Sequence, residues 1–372
     1  MTMTTTMPSP ARKEVIALPP YGAGQTIEQA TARNLHPNMI NLSVNENPLG
    51  PSPAALDAFK AQLHTASCYP DSQCTELSEC LSTKLNVARE QIVLGNGSED
   101  VLSMLCKAFL SQGDKVLVAK PTFALHGIYA NMMGAKVLEV PMQSDLSYRI
   151  DDWLDAIAHH PDLKMLMLAN PSNPIGCTFD ANNLQRLIDA CPLNTVIVID
   201  EAYCEYAQGH KQFVDSLTLL QTQPRPYAVL RTFSKAYGLA GLRVGYGVMA
   251  NAQLADYLHR VRTPYNVNRL AQLAAIALLQ DPSYLADTVT QTNREREKLS
   301  ASLTEQGYFV APSLANFLFI DVKQPSAHVA SLLLQQGIMI KPWLESGFDH
   351  FVRVSIGLPE QNLRVLEAFK QL

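Results

Sequence analysis

Residues 163–203, LKMLMLANPSNPIGCTFDANNLQRLIDACPLNTVIVIDEAY, decide the architecture. The stretch opens on one apolar run, LKMLMLAN, and closes on another, NTVIVIDEAY, rich in β-branched residues. Between them NNLQRLIDAC carries its apolar residues at helical spacing. Both runs are continuously apolar rather than alternating, as expected of strands buried on both faces of a parallel sheet. The unit reads as strand, helix, strand.

The same alternation extends in both directions. QIVLG, DKVLVAKP, AKVLEVPM, YAVLRTFS and RVGYGVMA read as strands; SEDVLSMLCKAFLSQG, TFALHGIYANMMG and IDDWLDAIAHH read as helices. Repeated βαβ units predict an α/β fold with a mostly parallel, helix-covered sheet between about Gln91 and Ala250. After about Pro264 the pattern changes. NRLAQLAAIALLQ and ADTVTQTNREREKLSASLTEQG are helical, and NFLFIDV, HVASLLLQQGIMIK, HFVRVSIG and PEQNLRVLEAFKQL follow as β-α-β-α. These predict a smaller α+β domain, joined through the long helix around Arg294. The first forty or so residues have no clear place of their own, and there is no internal repeat.

Composition narrows the function. The chain has 372 residues, 47% apolar and 17% charged, below the roughly 25% charged of ordinary soluble chains. Surface is therefore hidden, in a large core or between subunits. A net charge of −5, from 29 basic and 34 acidic residues without a block of one sign, argues against nucleic acid or an anionic membrane as partner. No apolar run approaches the roughly 18 residues of a membrane helix. The start, MTMTTTMPSPARKEV, reads as a disordered tail over residues 1–14 rather than a secretory signal. Seven cysteines without a CxxC pair fit neither a disulfide framework nor a metal site, and the expected compartment is a reducing cytoplasm. Cys68, Cys74 and Cys80 recur every six residues, which matches neither ligand spacing nor a helix face.

Open α/β sheets bind ligands at the carboxyl ends of their strands, so polar residues there come first. GNGSED follows the strand QIVL and opens a helix, where the amides of Gly97, Ser98 and Glu99 suit an anion; an ordinary capped turn reads the same way. It is not GxGxxG, which removes support for a dinucleotide-binding dehydrogenase. ANPSNPIG makes a rigid turn that fixes Asn173. Asp200 and Glu201 end the most buried strand and require partners; a Mg²⁺-binding role lacks the phosphate loop it would serve.

RTFSKAYGLAGLRVGYG, residues 231–247, is the richest stretch. Lys235 follows a strand inside a glycine-rich, weakly charged segment, and a desolvated lysine suits Schiff-base chemistry. Arg243, among apolar neighbours, suits bidentate phosphate binding, and Arg353 in HFVRVSIG is a strand cation suited to a carboxylate or phosphate.

Asn173, Asp200, Tyr203, Ser234-Lys235, Arg243 and Arg353 stand in the order and approximate spacing of fold-type-I pyridoxal-phosphate enzymes. The chain resembles that aminotransferase superfamily from about Leu18 to its end. Through LPPYGAG, LSVNENPLGPSP, YPD, KPTFALH, DEAYCEY and VRVSIGLPEQN it resembles, more narrowly, the histidinol-phosphate aminotransferase family. SKAYGLAGLRVGY with DEAY is the most specific part.

The resemblance implies a large domain (46–270) with a mostly parallel seven-stranded sheet, a small domain (271–372) and an N-terminal segment (15–45) that packs with it. It implies pyridoxal 5'-phosphate bound covalently by Lys235, with Asp200 pairing the pyridine nitrogen. Asn173 and Tyr203 would contact the ring oxygen, and Phe123 would stack on the ring. The phosphate would be held by the Ser98 and Glu99 amides, Thr232, Ser234 and Arg243, with Tyr69 reaching in from the partner subunit of a homodimer. Arg353 and Lys341, with Tyr21 and Asn47, would bind the substrates, histidinol phosphate and 2-oxoglutarate or glutamate, and no metal is implied.

Three positions depart from that pattern. Lys341 stands where several relatives carry arginine, His126 where tyrosine is common, and Ile175 where threonine is common; His126 reads as a buried, satisfied histidine. Aromatic amino-acid aminotransferases, decarboxylases of phosphorylated amino acids and pyridoxal-phosphate-binding regulatory modules are the neighbouring readings. The intact set of Lys235, Asp200 and Arg353 argues against the last.

Overall fold

The computed structural model describes residues 10–18, 22, 27–31, 36 and 38–372. After β1 (Ile40–Asn41), the central sheet is made by β2 (Ile92–Gly95), β3 (Lys115–Lys120), β4 (Lys136–Pro141), β5 (Leu163–Ala169), β6 (Val196–Asp200), β7 (Tyr227–Thr232) and β8 (Gly245–Met249). Their order is β2-β8-β7-β6-β5-β3-β4. Only β8 runs against its neighbours. The seven-stranded, mostly parallel sheet is the one expected.

The continuous apolar runs have the predicted cause. Side chains alternate across a strand, and both faces of this sheet are covered. Leu166, Leu168, Ile197 and Ile199 point into one core, with Trp153, Leu184 and Ile188. Met165, Met167, Val196 and Val198 point into the other, with Val101, Leu105 and Leu258. Full burial of one such side chain contributes roughly 1.5–3 kcal/mol, so β5 and β6, covered on both faces, add substantially to the sheet's stability. The covering helices start where short polar side chains accept a first-turn amide: Asp180 from Asn183, Asn251 from Leu254 and Asn268 from Ala271.

The smaller domain holds β9 (Phe309–Val310), β10 (Phe317–Asp321), β11 (Ile338–Met339), β12 (Lys341–Pro342) and β13 (Phe351–Ser355). β12-β13-β10-β9 form an antiparallel sheet, and β1 pairs in parallel with β11, Ile40 opposite Ile338. Its core joins Leu299, Leu318, Val329, Val354 and Val365 with Ile40 and Leu42. The long connecting helix is Pro282–Glu305, capped by Asp281.

Two details differ from the simplest division of the chain. Helix Arg269–Leu279 straddles position 270, and its buried Ala271, Ala274, Ala275 and Leu278 join the core of the large domain with Leu77 and Leu81. Of the segment read as a tail, residues 1–9 lie outside the described residues. Helix Lys13–Ile16 begins within its last positions, and Arg12 donates to Met132 O at 2.7 Å.

Candidate active site

Because β2, β3, β5, β6 and β7 run the same way, their carboxyl ends share one edge of the sheet, and the antiparallel β8 starts on that edge. The loops leaving this edge meet the β12–β13 strands across a cavity of about 520 Å³. It is lined by Ser98 and Glu99 after β2, Phe123 after β3, Asn173 after β5, Asp200 and Tyr203 at β6, and Thr232, Ser234 and Lys235 after β7. Arg243 before β8, with Lys341 and Arg353 from the small domain, completes the set. The sequence motifs therefore converge on one place.

One end of the cavity suits an anion. Gly97, at φ +82°, turns the chain into helix Ser98–Phe109, whose first amides face the cavity edge. Thr232 Oγ1 donates to Ser234 Oγ at 3.0 Å and accepts from the Ser234 amide at 3.1 Å. Arg243 stands in the left-handed region at φ 58°, which brings Nη1 3.5 Å from Ser234 Oγ and Nη2 3.4 Å from Asn96 O. This close approach depends on glycine. A Cβ on Gly245 would lie 2.3 Å from the Ser98 nitrogen, and one on Gly97 would lie 2.6 Å from Arg243 Nη2. A helix start, two hydroxyls and a guanidinium, packed so closely that a methyl group on either glycine would displace them, fit a phosphate.

The strand alternation of β6 divides the adjacent carboxylates. Glu201 turns into the interior, where Oε2 accepts from Arg231 Nε at 2.9 Å and Nη2 at 2.7 Å, while Oε1 accepts from the Ser216 amide. Asp215 joins the same guanidinium at 2.5 Å. Asp200 faces the cavity, with Oδ1 accepting from the Ala202 amide at 3.1 Å and Oδ2 lying 3.3 Å from His126 Nε2. His126 Nδ1 lies 3.3 Å from Thr122 Oγ1, and Phe123 meets the imidazole edge-on at 5.7 Å. His126 is buried and satisfied, as read from the sequence; its partner Asp200 was not foreseen.

Lys235 sits between the two ends. Its Nζ donates to Val44 O at 3.1 Å and lies 5.9 Å from the centre of the Tyr203 ring. Burial first, then the charge of Arg353, brings its pKa down to about 8; Arg243 adds to the fall, and Glu46 and Asp200 oppose it.

The other end is built by antiparallel strands. Arg353 on β13 donates to Asn173 Oδ1 at 2.7 Å and Ser43 O at 2.8 Å, with its guanidinium 5.4 Å from the Phe317 ring centre. Asn173 is held by its loop: Ser172 Oγ accepts from the Gly176 amide and Asn170 Oδ1 from the Phe179 amide. Asn173 Nδ2 reaches Tyr203 Oη at 3.3 Å. Lys341, directly opposite Arg353 in register, donates to Gly22 O at 3.2 Å, and burial beside Arg353 lowers its pKa.

Two expected site residues are placed differently. Asn47 donates to Ala236 O at 3.1 Å and accepts from the Leu49 amide at 3.0 Å, bracing the Lys235 loop from outside the cavity lining. Asn45, two residues earlier, takes the cavity position and donates to Tyr203 Oη at 3.0 Å. Its φ of 58° turns the side chain inward, a signal that the sequence does not print. Tyr69 is 77% exposed, is stacked on Tyr265 at 4.6 Å, and does not line this chain's cavity. Tyr21 lies outside the described residues. Trp343, which sequence reasoning passed over, lines the cavity. Among the described residues, no group of His, Cys, Asp and Glu is arranged to hold a metal ion, and no helix is long and apolar enough to cross a membrane.

A lysine of lowered basicity, a carboxylate at a strand end, an anion cradle and an arginine at the far side are the parts of an amino-group transfer site. The chain belongs to the family described as aminotransferase class I and II, whose sequence model matches residues 37–369. It is 43% identical over 361 residues to histidinol-phosphate aminotransferase 1 of Mesorhizobium japonicum, covering 97% of this chain and 98% of that protein. It is 41% identical over 363 residues to histidinol-phosphate aminotransferase 3 of Rhizobium meliloti, covering 98% and 97%. In fold it matches the histidinol-phosphate aminotransferase of Sinorhizobium meliloti, solved in complex with pyridoxal-5'-phosphate, with a TM-score of 0.89 and 24% identity over 98% of both chains.

Proposed function

We propose that this protein transfers the amino group of L-histidinol phosphate to 2-oxoglutarate, giving imidazole-acetol phosphate and glutamate. The protein is a pyridoxal-phosphate-dependent aminotransferase. The observation that carries the reading is the convergence of Lys235, Asp200 and Arg353 on one cavity. Its extension to histidinol phosphate is supported by relatives of that name aligned over almost the whole chain.

The residues fit the cofactor. The cradle of Ser98, Thr232, Ser234 and Arg243 would hold its phosphate, Phe123 its ring and Asp200 its ring nitrogen, and Lys235 would hold its aldehyde until the substrate's amine displaces it and frees Nζ. When bound, pyridoxal phosphate supplies a ring that takes up the electron pair released from the substrate's Cα. Lys235 Nζ removes the Cα proton, for which it must be neutral. With a pKa of about 8, about a quarter of the lysine is neutral at pH 7.5, against about a thousandth at the ordinary 10.5. His126 and the Ala202 amide keep the Asp200 carboxylate aimed. Asn173 and Asn45 orient the Tyr203 hydroxyl, and Arg353 with Lys341 receives the acidic end of either substrate.

A homodimer with shared sites, acting in the cytoplasm, belongs to the same proposal. The exposure of the stacked Tyr69–Tyr265 pair supports it, because a tyrosine that reaches a neighbouring subunit's phosphate must leave its own surface. The N-terminal segment, represented at the cavity by Gly22 and Ser43–Asn45, would cover the bound substrate.

The test is a panel of amino donors added to the yellow holoenzyme, following its conversion to the pyridoxamine form. Histidinol phosphate and glutamate are expected to react. Phenylalanine or tyrosine reacting as well as histidinol phosphate would overturn the substrate assignment, and a protein that gains no visible band with pyridoxal phosphate would overturn the whole reading.

A further inference from the structure

One large aromatic side chain of the cavity has no part in the chemistry above: Trp343. It follows β12 directly and prolongs its pairing, with its amide donating to Phe351 O at 3.0 Å. Residues two apart on an extended chain share a face and stand about 7 Å apart. Lys341 lies opposite Arg353, so Lys341, Trp343 and Arg353 face the cavity from one side of the small sheet.

The indole is anchored from behind. Nε1 donates to Glu345 Oε2 at 3.1 Å, and the ring meets Phe319 edge-on at 5.8 Å; Phe319 is in turn stacked on Phe351 at 4.6 Å. Trp343 is only half-buried, and its one polar atom is satisfied outside the cavity. A flat apolar surface is thus fixed beside two cations, a place where a planar heteroaromatic ring packs well.

We propose that Trp343, positioned by Glu345, is the wall against which the ring of the amino donor packs, and that it sets the preference for a donor bearing both a ring and an acidic group. The assignment rests on histidinol phosphate being the donor. With the acidic group on Arg353 and Lys341, the imidazole lies on the indole, whereas glutamate has no ring to place there. Trp343 acts on specificity, and Glu345 acts through it.

The experiment measures KM and kcat of the holoenzyme for histidinol phosphate and for glutamate in wild type, Trp343→Ala, Trp343→Phe, Glu345→Gln and Glu345→Leu. Trp343→Ala is expected to raise KM for histidinol phosphate about tenfold, since an aromatic contact and its buried area are lost together. KM for glutamate should change less than about twofold. Trp343→Phe keeps a ring and should recover most of the loss. Glu345→Gln keeps an acceptor for the indole N–H and should resemble wild type, while Glu345→Leu should raise KM for histidinol phosphate alone. Equal effects on both substrates, no effect, or a Phe variant as impaired as the Ala variant would overturn the proposal. A wild-type enzyme that reacts with glutamate but not with histidinol phosphate would refute the substrate reading itself, and the wall with it, before any variant is compared.

Discussion

Replacing Lys235 with methionine should stabilise the cofactor-free protein, although it abolishes activity. The native environment lowers the lysine's pKa from 10.5 to about 8, chiefly through burial and then through Arg353. At 1.36 kcal/mol per tenfold change in the proton equilibrium, keeping this ammonium charged in the native state costs about 3 kcal/mol. The sign follows from where the protons reside. Below pH 8 both folded and unfolded chains carry the charge, and the full cost is present. Between pH 8 and 10.5 the folded chain releases its proton while the unfolded chain keeps it, so wild-type stability rises with pH. Above 10.5 both are neutral and the cost is gone. Methionine has a similar shape and no charge to desolvate. With about 2.1 cal/mol/K of unfolding entropy per residue, 3 kcal/mol corresponds to a rise in Tm of about 4 °C for a chain of this length. Thermal unfolding of both apo-proteins from pH 6.5 to 10.5, followed by near-ultraviolet circular dichroism, measures it. A Met variant that melts lower than wild type at pH 7, or a difference unchanged up to pH 10.5, would show that the buried ammonium carries no such cost.

Arg353→Ala should raise KM for both substrates at least about a hundredfold, the size of a lost charge-assisted pair, while the cofactor's visible band persists. Removing that charge should also move the acidic limb of the pH–rate profile upward, because Lys235 acts neutral and Arg353 is the second-largest cause of its low pKa. Gly245→Ala would set a methyl group 2.3 Å from the Ser98 nitrogen, so pyridoxal-phosphate affinity should fall at least about tenfold in an absorbance titration; unchanged affinity would remove the cradle assignment. Glu201→Gln breaks a pair whose side chains are 0% and 5% exposed, and should lower stability in urea by about 3 kcal/mol. A loss under about 1 kcal/mol would mean that Asp215 alone satisfies Arg231.

The sheet was legible because burial on both faces leaves a mark in the sequence itself. TVIVI has no polar alternate, and Met165, Leu166, Met167 and Leu168 divide between two cores. The loop motifs were legible because residues at successive strand ends converge whatever the details of packing. What escaped depends on local dihedral angles or distant contacts. Asn45 and Asn47 are equivalent in the string NEN, yet Asn45, in the left-handed region at φ 58°, reaches Tyr203 while Asn47 donates to a backbone carbonyl. His126 could be read as buried, yet its partner lies 74 positions away. Trp343 belongs to an extended segment too short to show a period of two. The 270/271 boundary fell within a helix because an apolar face shows that a core exists without showing which one.

The two ends of the cavity are electrically joined. Arg353 belongs to the small domain and Lys235 to the large one, yet Arg353 lowers the lysine's pKa, and the Arg353–Asn173–Tyr203 and Val44–Lys235 bonds bridge the domains beside them. An acidic group that arrives on Arg353 offsets the positive charge responsible for that part of the shift. On the proposed reading, Lys235 would become a stronger base once the substrate's acidic end is seated. In the proposed reaction the depressed pKa would keep a usable share of the freed amine neutral, and an acidic group on Arg353 would raise that amine's proton affinity for the Cα proton. The burial of Lys235 is permanent, so it sets the baseline. The charge of Arg353 can be cancelled, so it supplies the response to substrate. A lysine buried without the arginine would have the first property and lack the second, which is a physical reason for both cations to share one cavity.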